Sequence, residues 1–171
     1  MKDFWLSIWH SISHYEDLEM YIRLSMGALF GFAIGLERTV HSKPAGIKTY
    51  TFVTVAATLL TLVSIHTVDR YSIPGRTMMD PLRLAAQIVS GLGFLGAGLI
   101  IQKSGSVKGL TSASMVFFAG AIGISIGAGY YLMTTYAMLV MYGIISIGHF
   151  LEDRHTGLFG QKKPLKESED D

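Results

Sequence analysis

The sequence predicts an all-α polytopic membrane protein, a glycine-packed bundle of about five transmembrane helices. Three observations carry that expectation. Half of the 171 residues are hydrophobic and only 16% are charged, whereas a soluble domain carries about 25% charged residues. The apolar residues gather into five segments, Met20–Leu36, Ile47–Val68, Leu82–Ile101, Thr111–Ala128 and Tyr130–Phe150. Segments of this length suit a hydrocarbon core about 30 Å thick. The third observation is 19 glycines, many of them inside those segments. Glycine costs a helix interior in water about 1 kcal/mol relative to alanine, but in lipid it lets backbones approach closely, and packing drives association there.

The chain divides into residues 1–19, an N-terminal amphipathic helix, residues 20–150, the five-helix membrane domain, and residues 151–171, a polar cytoplasmic tail. In Phe4–Tyr15, Phe4, Trp5, Ile8, Trp9, Ile12 and Tyr15 fall on one side of a helix and His10, His14 and the serines on the other. That pattern suits a helix in the membrane interface, or one packed on the protein's own outer surface. The first span carries Gly27, Gly31 and Gly35 at four-residue spacing, with Arg23 and Arg38 on roughly the same face at its two ends. Inside the five segments the only formal charges are Arg23, Lys48 and Arg83, all near a segment end, where they can snorkel to headgroups.

After the second span, the loop His66–Pro81 reads as a connector, or as an external cap over the bundle. The third span holds Gly91, Gly93, Gly96 and Gly98. At about 100° per residue, Gln87, Gly91 and Gly98 share one face and Ala86, Gly93 and Gly96 another, which predicts a central helix with two close neighbours. The fourth span repeats the theme with Gly109, Ala113, Gly120 and Gly127 on one stripe. Gly127-Ala128-Gly129 leaves a very tight turn before the fifth. The tail after His155 reads as a disordered, solvated end.

Lysine and arginine in the loops set orientation. With the N-terminus outside, one face collects Arg38, Lys43, Lys48, Lys103, Lys108, Arg154, Lys162, Lys163 and Lys166, and the other keeps Lys2, Arg23, Arg70, Arg76 and Arg83. The positive-inside rule then places the C-terminus in the cytoplasm. A net charge of +1, spread over loops, argues against a nucleic-acid partner. The absence of cysteine excludes thiol catalysis, disulfides and Cys-ligated zinc.

Candidates for chemistry are few. Gly91-Leu92-Gly93-Phe94-Leu95-Gly96 matches the dinucleotide fingerprint, but that fingerprint needs a preceding strand and a helix starting at the glycines, and here they lie inside an apolar span. Glu37 is the acid most closely attached to an apolar segment, so it must stay wet, pair with a base or protonate. Arg38 points elsewhere on the helix, leaving Lys43, Lys48, Lys103 and Lys108 as partners. The pair is either a headgroup-level anchor or a polar centre at the cytoplasmic mouth of the bundle. Arg83 and Gln87 lie one turn apart, and Gln87 is expected to bond a neighbouring helix. Thr111, Ser112 and Ser114 read as capping hydroxyls. His10 and His14 lack a third ligand, so no metal site or cofactor is expected, and nothing resembles a catalytic constellation.

GFAIGLER (Gly31–Arg38), KPAGIKTY (Lys43–Tyr50), AAQIVSGLGFLGAGLI (Ala85–Ile100) and KGLTSASMV (Lys108–Val116) occur in that order. Together they resemble the MgtC/SapB family of bacterial inner-membrane proteins, over roughly Tyr21–Tyr131. The resemblance implies a five-helix membrane region and a link to growth in low magnesium, survival inside host cells and, in one branch, restraint of the ATP synthase. Many members carry a soluble C-terminal domain, whereas this chain has only a short polar stretch after Phe150 and is similar to the shorter, SapB-like branch. Thr111-Ser112 and Phe117 stand where the family often has Thr-Thr and tryptophan. By motif match the resemblance points to Glu37, Arg38, Gly46, Gln87, Ser90, Gly91, Gly93, Gly96, Gly98 and Thr111.

Two functions follow as expectations. One is a non-enzymatic modulator of ion and energy balance, contacting lipid and associating with its own copies or other membrane proteins. The other is a small transporter or channel, with magnesium as the ion. Mg²⁺ requires oxygen ligands, and Glu37 is the one carboxylate near membrane depth.

Overall fold

The computed structural model describes residues 15–73, 80–103 and 106–158. It contains α1 (Tyr15–Val40), α2 (Ile47–Tyr71), α3 (Leu82–Leu99), a hairpin of β1 (Ile101–Lys103) and β2 (Ser106–Lys108), α4 (Leu110–Gly127) and α5 (Tyr131–Leu158). All five helices contain a stretch long and apolar enough to cross a membrane. The fold is thus the expected membrane-helix architecture. The amphipathic helix expected over Phe4–Tyr15 falls outside the described residues, except that Tyr15 begins α1.

Several boundaries differ from the sequence reading, and α2 runs on to Tyr71, so His66–Tyr71 is helix and the expected connector begins only at Ser72. The apolar part of α1 runs from Leu18 to Val40, longer than Met20–Leu36, because Glu37 and Arg38 continue the helix rather than ending it. Ile101 leaves the third span and joins β1, which pairs antiparallel with β2 in the register Ile101↔Lys108, Gln102↔Val107 and Lys103↔Ser106. At the other end α5 continues past Phe150 to Leu158, since a helix need not stop where its apolar pattern does.

Residues up to Thr134 form one compact unit, and the rest of α5 belongs to a second. Within the first unit α1 packs mainly on α2, α2 on α4, and α3 chiefly on α4. The central helix is therefore α4, with 50% of its span buried, and not α3, with 11%. The reason lies in which stripe of α3 faces inward. Ile88, Leu92 and Gly96, one turn apart, are its buried residues, so Gln87 and Gly91 are each rotated by about 100° away from the bundle.

The core is a seam of small residues. A Cβ at Gly27 would meet Thr58 Oγ1 at 2.6 Å, and one at Gly31 would meet the Thr51 Cα at 2.8 Å. At Gly35 it would strike the Ile47 backbone. On the adjoining side of α2, Gly123 and Gly127 of α4 lie against Thr54, Ala57 and Thr61. The threonines hide their donors. Thr54 Oγ1 donates to the Tyr50 carbonyl at 2.9 Å and is shared with the Ala119 carbonyl at 3.3 Å. Thr58 Oγ1 likewise serves Thr54 at 2.9 Å and Gly123 at 3.1 Å. Such back-bonding makes a hydroxyl tolerable in a dry helix interface. Gly109, at φ +88°, admits no side chain because a Cβ would strike the Leu99 carbonyl, and it carries the chain from β2 into α4.

Candidate functional site

Two arginines of α1 reach the two ends of α4. Near its first turn, Arg38 is only 4% exposed, and its Nη2 donates to Ser112 Oγ at 3.3 Å. The Tyr50 hydroxyl, fully buried in the first turn of α2, donates to the Ser112 carbonyl at 3.3 Å. Ser112 thereby ties α1, α2 and α4 together. The Glu37 carboxylate lies beside this group, its Oε2 3.8 Å from Arg38 Nη1 and its Oε1 3.2 Å from His41 Nδ1. His41 Nδ1–H donates instead to the Glu37 carbonyl, at 2.8 Å. Both Glu37 oxygens and Arg38 Nε are buried without a hydrogen-bond partner. A positive guanidinium at a helix N-terminus opposes the helix dipole, so the carboxylate beside it supplies the local compensation.

At the opposite end the arginine complements the helix dipole, although Arg23 Nε is buried without a hydrogen-bond partner. Arg23 Nη1 donates to the Gly127 carbonyl in the last turn of α4 at 2.5 Å, and Nη2 pairs with Glu19 at 2.5 Å. The Tyr131 hydroxyl donates to the same Glu19 oxygen at 3.3 Å, and the Tyr131 ring lies 5.8 Å from the guanidinium carbon. Arg23 is thus a C-cap supplied by another helix, not a side chain reaching for headgroups.

Of the sequence candidates, the structure gathers Glu37, Arg38 and Ser112. It does not bring Arg83, Gln87, Ser90 or Thr111 to them, and all four are exposed. The Glu37 carboxylate lies within 4 Å of Arg38 and His41, and no lysine pairs with it among the described residues. Gln87 makes no interhelical bond among the described residues, for the rotational reason given above.

The glycines separate in the same way. Gly27, Gly31 and Gly35 face α2, Gly127 faces Thr61, and Gly120 faces Leu92 of α3. Gly96 lies 3.7 Å, at its would-be Cβ, from Ala113, an ordinary contact. Gly91, Gly93 and Gly98 have nothing within 4 Å of an added Cβ. Sequence reasoning missed Tyr50, Thr54, Thr58, Thr61 and Gly123. The signal was present: Thr51, Thr54, Thr58 and Thr61 recur at three- and four-residue spacing inside an apolar run.

The model of the MgtC family matches residues 24–154, a stretch that contains Glu37, Arg38, Ser112 and the glycine–threonine seam and begins just after Arg23. The chain belongs to the MgtC family. Protein SapB of Bacillus subtilis is 45% identical over 121 residues, covering 70% of this chain and 52% of that protein. Protein MgtC of Brucella abortus is 37% identical over 124 residues, 72% of this chain and 47% of its own length. "Putative magnesium transporter YhiD" of Escherichia coli K12 is 34% identical over 136 residues, 80% of this chain and 63% of YhiD. The chain thus spans about half the length of the first two relatives. No solved structure matches it. Family membership and five spans make it a multi-pass membrane protein.

Proposed function

We propose that this MgtC-family chain is a non-enzymatic protein of the bacterial inner membrane that modulates ion and energy balance, including growth in low magnesium, by lateral association with other membrane-spanning helices. The observation that supports the reading is the outward face of α3. A Cβ added at its glycines Gly91 or Gly98 would meet nothing within 4 Å among the described residues, whereas glycine-faced helices in lipid serve close helix contact. Beside that face, Phe52, Ala56, Leu60, Gln87, Gly91 and Leu95 help line an apolar groove of about 480 Å³ between α2 and α3. The test is a double variant, Gly91→Leu with Gly98→Leu, expressed in a strain that needs the protein in low magnesium. It should reach the membrane in normal amount yet fail to restore growth; full restoration would sink the reading.

A second reading, transport, is favoured by Glu37, whose carboxylate is 10% exposed with neither oxygen hydrogen-bonded. A buried carboxylate without donors is poised to take a cation or a proton. The name of YhiD points the same way. Purified protein in liposomes should then carry Mg²⁺ at a rate that collapses in Glu37→Gln. Equal fluxes from both proteins and from empty liposomes would remove this reading.

A further inference from the structure

We infer that the outward face of α3 binds a second copy of the same chain, as a parallel two-fold pair in which Gln87 hydrogen-bonds the partner's Gln87. The inference rests on the reading that this face is a docking surface, and it names the occupant. Leu84, Gln87, Gly91, Phe94 and Gly98 follow one another at intervals of three and four residues. That is the heptad seam of a left-handed helix pair, and the residues facing α4 do not share it. They recur every four residues instead, as Ile88, Leu92 and Gly96. Four of the five seam positions are exposed and Leu84 is half-buried. Phe94 is 81% exposed, and Gly91 and Gly98 on either side of it open onto empty space.

Gln87 decides the occupant. It is the sixth residue of α3, about 7.5 Å inside the helix at 1.5 Å per residue, and it has no hydrogen bond within the chain among the described residues. An amide in hydrocarbon needs a polar partner. Lipid acyl chains supply none, so lipid alone leaves the group unsatisfied. A second copy inserted with the same topology carries its own amide at the same depth, and at a two-fold axis along the membrane normal each residue meets its own counterpart. Carboxamides suit that position because each holds both a donor and an acceptor, so two of them satisfy one another reciprocally. A carboxylate or an ammonium in that place would repel its copy. One polar residue in an otherwise apolar heptad seam also fixes register. The small residues Gly91 and Ala56, which line the neighbouring groove, leave the partner's backbone room to approach.

The chain has no cysteine, so single cysteines can report the contact in native membranes of the full-length protein. Cysteines at positions 84, 87, 91, 94 and 98 should give a disulfide-linked band of twice the chain mass on mild oxidation. Cysteines at the exposed positions 86, 89, 93 and 97, which lie off the seam, should give at least fivefold less. Equal cross-linking on both sets, or none on the first, overturns the two-fold pair. If the first set cross-links only to a protein of another mass, the docking face stands and the second copy as its occupant is overturned. In liposomes, energy transfer between labelled copies should show Gln87→Met dissociating roughly threefold to tenfold more readily, as expected for one or two interhelical bonds of average strength. Gln87→Asn should retain more of the association than Gln87→Met. Equal association of Gln87→Met and the parent chain overturns the amide pairing.

Discussion

The glycines of α1 and those of α3 present similar patterns in sequence and opposite situations in space. Gly27, Gly31 and Gly35 repeat every four residues, and each faces a part of α2 that leaves no room for a methyl group. Gly91, Gly93 and Gly98 lie as densely in their helix, yet each looks onto open space. The first set lets α1 and α2 close onto the threonine seam, so it belongs to the fold. The second set makes no close contact among the described residues, so nothing found there offsets the cost of so many glycines in one helix, about 1 kcal/mol each in a solvated helix. A stripe of small residues therefore shows that backbones come close, and only the packing of its neighbours shows whether the approaching backbone is already present.

The sharpest way to break this comparison is to put one side chain at each position. Gly31→Leu would drive its side chain into the Thr51 backbone and the Tyr50 carbonyl, 2.8 and 2.9 Å from the Cβ. Backbone cannot yield as a flexible side chain can, and overpacking of this kind costs about 1–3 kcal/mol or more. Gly31→Leu should fail to accumulate, or melt far below the parent in detergent. Gly91→Leu should melt at the parent's temperature. If the two variants are equally destabilised, the distinction between a closed and an open glycine face collapses.

The α1 stripe, the five spans and the tight α4–α5 turn were legible in the sequence because they rest on spacing and hydropathy alone. The role of α3 was not. Two small-residue faces on Leu82–Ile101 suggested a central helix, but sequence could not tell which of several near-equivalent rotations packs inward, and Ile88, Leu92 and Gly96 took that position. Glu37 and Arg38 were legible as a polar pair, but their partner at the head of α4 was visible only as Ser112, a hydroxyl with an ordinary capping explanation. Tyr50 and the threonines went unread because back-bonded hydroxyls inside an apolar run carry no charge and leave the hydropathy almost unchanged. The β1–β2 hairpin was missed since strands of three residues have no periodicity to detect.

The next effect tests how the closed seam is held. Thr58 Oγ1 serves both the Thr54 and the Gly123 carbonyls, and Thr58→Val keeps the shape while removing that donor. One net hydrogen bond contributes about 0.5–1.5 kcal/mol. Because the Thr54 carbonyl keeps its own helical position, the loss falls mainly on the α2–α4 contact. Thr58→Val should lower the melting temperature measurably while leaving the exposed face of α3 and any association through it intact. Loss of association without loss of stability would mean that the seam and the open face are coupled.

The smallest effect on the fold is expected at the open face itself. Gly98→Ala adds a methyl group where nothing lies within 4 Å, and alanine is favoured over glycine in a helix interior by about 1 kcal/mol in solvated helices. In lipid the gain is smaller, because the membrane already enforces helical backbone bonding on every residue. Stability in detergent should therefore stay level or rise slightly. Selection for the stability of this chain alone would favour alanine there. Retention of glycine makes sense if another backbone must come as close to α3 as α2 comes to α1. Gly98→Ala should then weaken helix association in the membrane while the monomer melts no lower than the parent. A lower melting temperature of the monomer would show instead that Gly98 already has a structural task within the chain.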